Sequence, residues 1–381
     1  MKSVKYIFYK MPLSFRIYLR EHKGSIDVKK TIQLRRLLFN QIHEYKKIKE
    51  YQLEIKDSIG IWIKSFKKFI IAQPNEIEVA LEFFKDNINL SKPAFQKENC
   101  GVILICIVKD DLLKVKNLVC HHRKIGVEKF AFLDNGSTDG TKEWLTKQRD
   151  VELFEVKDKY TTNRREAWVN KLIAYYGINK WYLIIDSDEL FVYHNMENKS
   201  INDVVNYCRC KGITRVRAMM IDMYGDDEFY LLGNDSEYIK YMKYFDTDTY
   251  QTEHRDFIDL IIGGPRRRIF NDNTWLTKYP LFYFAEGDIE GKSHFLFPYK
   301  YNKKTECLSG LLHYKFLASD IQKYRDIANE GNYFNGSLQY KKYINYIDTH
   351  KRMSFMYKNS REYRSSEDLK HISKIKKMDF I

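Results

Sequence analysis

A chain of 381 residues is long enough to bury a large core, as one big α/β domain with additions or as two domains. With 44% hydrophobic and 15% aromatic residues it is not a disordered composition. The net charge of +14 sits at the ends, +9 over residues 1–96 and +5 over 351–381 around a neutral centre, which argues against a nucleic-acid track across the middle. Basic ends fit an anionic membrane surface or an acidic partner, or are simply solvated helices.

Residues 1–96 place apolar positions at helical spacing, as in Ile32, Leu34, Leu37, Leu38, Ile42 and Tyr45, then Ile59, Trp62, Ile63, Phe66, Phe69 and Ile70. This predicts a basic extension of three or four amphipathic helices, broken at Pro74 and Pro93. Lys10, Pro12 and Arg16 interrupt the N-terminus before a signal-peptide core forms, and no run of 18 apolar residues occurs. Six cysteines, at 100, 106, 120, 208, 210 and 307, show no Cys-x-x-Cys pair and no zinc spacing. A reducing, cytoplasmic location without a membrane span is expected.

From Gly101 the pattern changes. VILICIV (102–108) is an apolar run of strand length, followed by Asp110 and Asp111 and by a helix over 112–124 closed by Gly126. KFAFLDNGSTDGT continues with a second strand ending at Leu133, then Asp134, then a short helix around Trp144. VELFEV (151–156) is a third strand, and Thr161 or Thr162 caps a helix running to Tyr176 with Gly177 as its stop. WYLIIDSDELF (181–191) begins as a buried strand and breaks into Asp186, Ser187, Asp188 and Glu189. Three carboxylates on the end of an apolar strand repel one another unless a cation or a network of donors offsets them. A hard ion such as magnesium or manganese, shared with substrate phosphates, would do so.

Strand alternating with helix is the signature of a doubly wound parallel sheet, whose ligands bind outside the carboxyl ends of the strands. Asp110/Asp111, Asp134 and Asp186/Asp188 all fall there, so they converge on one crevice. The phosphate-loop patterns GxGxxG and GxxxxGKS are absent. Beyond the acidic strand, 201–211 reads as a helix and 213–220 as a strand running into Asp222, while 229–262 reads as irregular. Gly263-Gly264-Pro265-Arg266-Arg267-Arg268 is a turn that presents guanidinium forks, suited to phosphate or carboxylate or else solvated. His313 ends the apolar stretch LSGLLH, where a lone histidine is more often structural than a ligand. From about residue 319 the chain reads as helical.

These blocks in this order resemble the bacterial family-2-type glycosyltransferases with the GT-A fold, and in particular a branch carrying DNGSTDGT, DSDELF, GGPRRRIF, KYPL, SH and LLHYKF. The resemblance spans roughly residues 100–320. It implies an α/β, Rossmann-like, mostly parallel sheet flanked by helices over 97–320, with the helical extension 1–96 before it and a helical basic region 321–381 after it. It implies a nucleotide-sugar donor, a UDP-sugar first, and a divalent metal, Mn or Mg. Asp110 or Asp111 would sit near the base and Asp134 at the base or ribose. Asp188 would touch the metal directly and Asp186 would join the metal site or reach the ribose or metal-bound water; His313 would be a further ligand, and Arg266 and Arg268 would neutralise phosphate. Asp222 is the expected catalytic base, with Asp226, Glu253, Glu286 and Asp288 as competitors.

The expected function is therefore metal-dependent transfer of a sugar, by inversion, to a surface glycan or other lipid-linked acceptor, with peripheral membrane association through the basic ends and no nucleic acid. The rivals are a nucleotidyltransferase, against which the missing Gly-rich loop weighs, and a non-catalytic binding module.

Overall fold

A computed structural model describes residues 28–47, 59–69, 74–85, 87–95, 101–226, 238–255, 258–292, 294–302, 305–331, 333–350 and 353–380. The reading of the first twenty residues, and Cys100, lie outside that set. Helices α1 (Val28–Lys47), α2 (Ile59–Phe69) and α3 (Pro74–Lys85) form where the apolar spacing predicts them. Pro74 opens α3, since a missing N–H costs nothing at the first helical position. β1 (Asn89–Lys92) follows as a short strand.

The next elements follow the predicted alternation: β2 (Ile103–Val108), α4 (Leu112–Lys124), β3 (Lys129–Asp134), α5 (Thr141–Thr146), β4 (Val151–Glu155), α6 (Thr162–Tyr176) and β5 (Lys180–Ile184). Thr161 caps α6 by accepting the Arg164 amide, and Gly177 ends it at φ 96°, a conformation that a side chain would strain. Strands β2 to β5 are mutually parallel, in the order β4-β3-β2-β5.

The second half departs from simple alternation. β6 (Glu189–Val192), α7 (Ile201–Lys211) and β7 (Arg215–Asp222) are followed by α8 (Tyr238–Tyr241), β8 (Tyr244–Asp246), the hairpin β9 (Gln251–His254) with β10 (Asp259–Ile262), and α9 (Gly264–Phe270). The stretch 229–262 thus contains short strands in its described parts, rather than being irregular throughout. β11 (Thr277–Phe284), the hairpin β12 (Ile289–Lys292) and β13 (Phe295–Phe297), and β14 (Ser309–His313) come next. The full order is β1-β4-β3-β2-β5-β11-β7-β14-β6, in which β2, β3, β4, β5, β7 and β14 run one way and β1, β11 and β6 the other.

α10 (Asp320–Glu330) and α11 (Phe334–Thr349) meet the expectation of a helical C-terminal region, but 353–380 does not. It holds only β15 (Ser360–Glu362), paired with β8, and a 3₁₀ turn over Ser366–His371. Its buried Met353, Phe355, Leu369, Ile372, Ile375 and Met378 join the core, the last four at intervals of three residues, along a 3₁₀ turn and the turns that follow it rather than along an α-helix.

Both faces of the sheet are buried, and the alternation along β2 divides the core. Leu104, Cys106 and Val108 pack on one side with the C-terminal segment, and Ile103 and Ile105 on the other with α1, α2, α3 and α6. Trp62 of α2 stacks between Phe83 of α3 and Phe284 of β11, at centroid distances of 5.2 and 5.7 Å. The described helices of the N-terminal extension therefore complete the core rather than decorate it.

Candidate active site

The register of the sheet assembles the site. At the carboxyl end of β7, Asp222 pairs with His313 of β14, and His313 pairs on its other side with Glu189 of β6. Across the sheet, Asp134 ends β3 beside Val108 of β2, and Asp186 and Asp188 follow β5. The described acidic strand ends thus share one rim of the sheet, as the parallel topology requires.

The two aspartates of the Asp-Ser-Asp turn face different partners. Asp186 gives one carboxylate oxygen to Arg165 of α6 at 3.0 Å and the other to Lys278 of β11 at 2.9 Å. Lys278 also holds Glu189 at 2.7 Å, and Arg165 also holds Glu166 and Glu290 at 3.2 and 3.0 Å. Burial works to raise the Asp186 carboxyl, and Lys278 and Arg165 overcome it, holding it below the ordinary carboxylate range. The expected place of Asp186 on a metal is not what this geometry favours, because two cations already hold its oxygens. Its side chain is nonetheless 44% exposed, leaving an edge for a hydroxyl donor.

Asp188 faces His313, with Oδ2 and Nε2 3.5 Å apart. His313 turns its other nitrogen, Nδ1, to Asp222 at 2.6 Å, and Asp222 takes Arg266 Nε on its second oxygen at 2.8 Å. Between two carboxylates and with no ion bound the ring favours its protonated form; on losing the Nε2 proton while Nδ1–H stays donated to Asp222, it would present a lone pair on the Asp188 side, the arrangement in which a carboxylate orients a metal-binding histidine. Burial alone would lower the His313 pKa; Asp188 and Asp222 reverse that and raise it. Asp188 is held well below the carboxylate range because His313, Lys114 and Lys315 overcome its desolvation.

No group of three or more His, Cys, Asp or Glu side chains placed to hold an ion occurs among the described residues. Asp188 and His313 supply two donors 3.5 Å apart, a little wider than the roughly 3 Å between neighbouring ligands of an octahedral ion at 2.0–2.1 Å per bond, so a small closing movement would let one ion join them. That set suits magnesium or manganese, which are commonly held by one or two protein ligands and completed by substrate phosphates.

Asp222 does not meet the expectation of a catalytic base. Its side chain is fully enclosed, both oxygens are engaged, and Arg266 and His313 outweigh burial to bring its pKa down to about 2. A strand-end aspartate reads as exposed in sequence, but here β14 and α9 close over it. Gly263, just before α9, allows that closure: at φ 126° a Cβ there would meet the Thr249 carbonyl at 2.2 Å. Arg268 also departs from its expected phosphate role, since it pairs with Asp246 at 3.0 Å, bonds the Phe355 carbonyl and lies over Tyr357. Arg266 keeps one buried nitrogen, Nη2, without a hydrogen-bond partner.

Asp110, at φ 50°, accepts the Thr138 amide at 2.6 Å, which ties its loop to the next one. Asp111 accepts Ser187 Oγ at 2.7 Å and pairs with Lys323 at 2.8 Å, so it braces the acidic turn from below. Asp134 takes the Gly136 and Ser137 amides on one oxygen, both at 3.0 Å, and its other oxygen is buried without a partner. Such an acceptor is completed by water or by a ligand N–H or O–H.

Sequence reasoning missed the cations: Arg165, Lys278, Lys114 and Lys315. Lys278 and Lys315 lay in the blocks KYPL and LLHYKF, so a search there for charges opposite to the acids would have found them. A cleft of about 620 Å³, lined by Trp181, Asn206, Arg209 and Tyr283 among others, opens at the amino ends of β2, β5 and β7, away from these acids.

No protein-family model matches the chain. No curated protein matches it either. Among solved structures it is similar to the mannosyltransferase PcManGT from Pyrobaculum calidifontis, in complex with GDP-Man and Mn2+, at 12% identity over 51% of this chain and 47% of that one, with a TM-score of 0.24. It is also similar to S. aureus TarS 1–349, at 13% identity over 61% and 64% of the two chains, with a TM-score of 0.29. The match spans less than two thirds of either protein.

Proposed function

We propose that the chain is a metal-dependent glycosyltransferase of the GT-A type that moves a sugar from a nucleotide donor to a surface-glycan or other lipid-linked acceptor, with inversion. The observation that carries this reading is the line Asp188–His313–Asp222–Arg266 at the carboxyl rim of a mostly parallel sheet, with successive separations of 3.5, 2.6 and 2.8 Å. Asp188 and His313 would hold Mn or Mg, and when bound the ion supplies positive charge for the departing diphosphate. Asp222 is a positioning residue that fixes the His313 tautomer, and Arg266 keeps Asp222 ionised. The buried free oxygen of Asp134 and the exposed edge of Asp186 suit base and ribose groups, with uridine the first expectation.

The acceptor proton then falls to another carboxylate. Glu253, Glu286 and Asp288 each pair with a cation, whereas Asp226, just past β7, meets a tyrosine hydroxyl at 3.3 Å. We assign the base role to Asp226, with Asp226→Asn expected to lower turnover roughly 10²–10⁴-fold while leaving donor binding intact. The basic ends fit acceptors at an anionic membrane surface.

The test is a panel of UDP-, GDP- and CMP-sugars with Mn2+ or EDTA. Metal-dependent release of the nucleotide from one donor, lost in Asp188→Ala, supports the reading. Incorporation of nucleotide into product would point to a nucleotidyltransferase, and absence of any turnover with any donor to a binding module.

A further inference from the structure

Lys315 follows His313 by two residues and is only 8% exposed. Among the described residues no carboxylate lies within ion-pair distance of it. Its Nζ meets Tyr340 Oη at 3.2 Å and lies over the rings of Tyr340, Tyr324 and Tyr343, at 4.7, 5.5 and 6.0 Å from their centroids. Its backbone carbonyl accepts the Tyr324 hydroxyl. The residue is thus held at its backbone carbonyl by α10 and at its ammonium by α11, and one of its three N–H donors has a hydrogen-bond acceptor.

A buried ammonium without a counter-ion is costly, and a methionine would fill a tyrosine cage without that cost. Cation–π contact with three rings offsets part of the cost and holds the charge in place. The position of that charge is informative. The Tyr314 amide donates to the Asp188 carbonyl at 2.8 Å, so the segment bearing Lys315 runs beside the acidic turn. Arg266 Nη2, a buried cationic nitrogen without a hydrogen-bond partner, belongs to the line that ends at Asp188. A buried ammonium with spare donors beside the acidic turn, with Arg266 behind it through Asp222 and His313, describes a site that an anion with several oxygens would complete.

We propose that Lys315, held by Tyr340 and Tyr324, is the residue that takes up the β-phosphate of a nucleoside diphosphate beside Asp188 and His313. This deepens the donor site and rests on the nucleotide-sugar reading above. It also makes the C-terminal helices α10 and α11 part of donor recognition. Lys315 acts as a compact point charge and transfers no proton.

The experiment compares binding of UDP with UMP, and of GDP with GMP, by calorimetry on the full chain, in EDTA and again with Mn2+. In EDTA the excess affinity for the diphosphate reports the protein's own cations. Wild type should prefer one diphosphate over its monophosphate about tenfold or more, and Lys315→Met should bring that ratio to within about twofold at unchanged monophosphate affinity. Lys315→Arg should keep part of the preference. The melting temperature of ligand-free Lys315→Met should rise by about 1–3 °C, since an unpaired charge has been removed.

A Lys315→Met protein that keeps the wild-type ratio overturns the proposal. So does a fall in its ligand-free melting temperature, which would mark Lys315 as a cation already satisfied by the tyrosines, even where nucleotides bind. Absence of binding by wild type to any of the four nucleotides, with Mn2+ as well as in EDTA, removes the nucleotide-sugar reading and this role together.

Discussion

Asp186 and Asp188 are two residues apart in one turn, yet their surroundings differ in kind. Around Asp186, Arg165 and Lys278 are shared among Asp186, Glu189, Glu166 and Glu290 by direct ion pairs. Around Asp188, His313 stands 3.5 Å away, and the nearby Lys315 and Arg266 keep donors to spare. The first cluster is cross-linked by direct ion pairs and serves as a foundation, although Glu290 Oε2 stays buried without a hydrogen-bond partner, while the second leaves cationic donors open to a ligand. Substitutions in the first should therefore reach stability, and those in the second should reach ligand affinity and turnover.

The largest expected effect breaks the second region. Asp188→Asn preserves shape but removes the charge, and should lower turnover roughly 10²–10³-fold with a melting temperature near that of wild type. A large fall in melting temperature with near-normal turnover would erase the distinction between the regions. Lys278→Met is the opposite probe: it leaves Glu189 buried without its cation and should cost about 3–5 kcal/mol in denaturant unfolding. A cost below about 1 kcal/mol would mean that the Asp186 cluster is no foundation.

Burial of a histidine provides an internal control. His313 is buried against two carboxylates and its pKa is raised, whereas half-buried His121 and buried His122 meet backbone carbonyls, Phe191 O and Leu118 O, each at 2.7 Å. Desolvation brings His121 down to about 4 and holds His122 well below the ordinary histidine value. Between about pH 6.5 and pH 4 the unfolded chain binds protons that these two rings refuse, so their contribution to stability is full above pH 6.5 and is lost as the pH falls toward 4. His121→Gln should flatten that decline by about 2–3 kcal/mol, read from urea midpoints across the range. An unchanged slope would contradict it.

A smaller effect sharpens the role of Asp222. As the partner that orients a metal-binding histidine, Asp222→Asn should weaken Mn2+ affinity about 10–100-fold, with the loss recovered at higher metal concentration. A base would behave otherwise, since saturating metal would not restore turnover. Smallest of all, Ser187→Ala removes the hydrogen bond to Asp111 and should cost about 0.5–1.5 kcal/mol.

The half of the fold up to Ile184 was legible because its signals are local. Apolar runs of strand length, the Thr161 cap and the Gly177 stop each lie within a few residues of what they determine. The antiparallel insertion of β11 between β5 and β7 was not, because sheet order is settled by pairing between distant segments, as Leu281 with Leu183 and Thr277 with Met219. The acids of the site could be read as strand ends, but what each faces could not. Asp186 and Asp222 look equivalent in sequence; one keeps an exposed edge and the other lies sealed between β14 and α9. Their cations are likewise distant in the chain, Lys278 lying 92 residues beyond Asp186.

The central claim is that Asp188 and His313 together hold the metal that the donor diphosphate completes. Electron spin-echo modulation of Mn2+ bound in the presence of UDP or GDP reads a coordinated imidazole nitrogen directly. Nitrogen modulation in wild type, absent from His313→Ala at metal concentrations that restore occupancy, is the predicted result. Bound Mn2+ with no nitrogen modulation in wild type would contradict the claim and leave His313 a structural partner of Asp222.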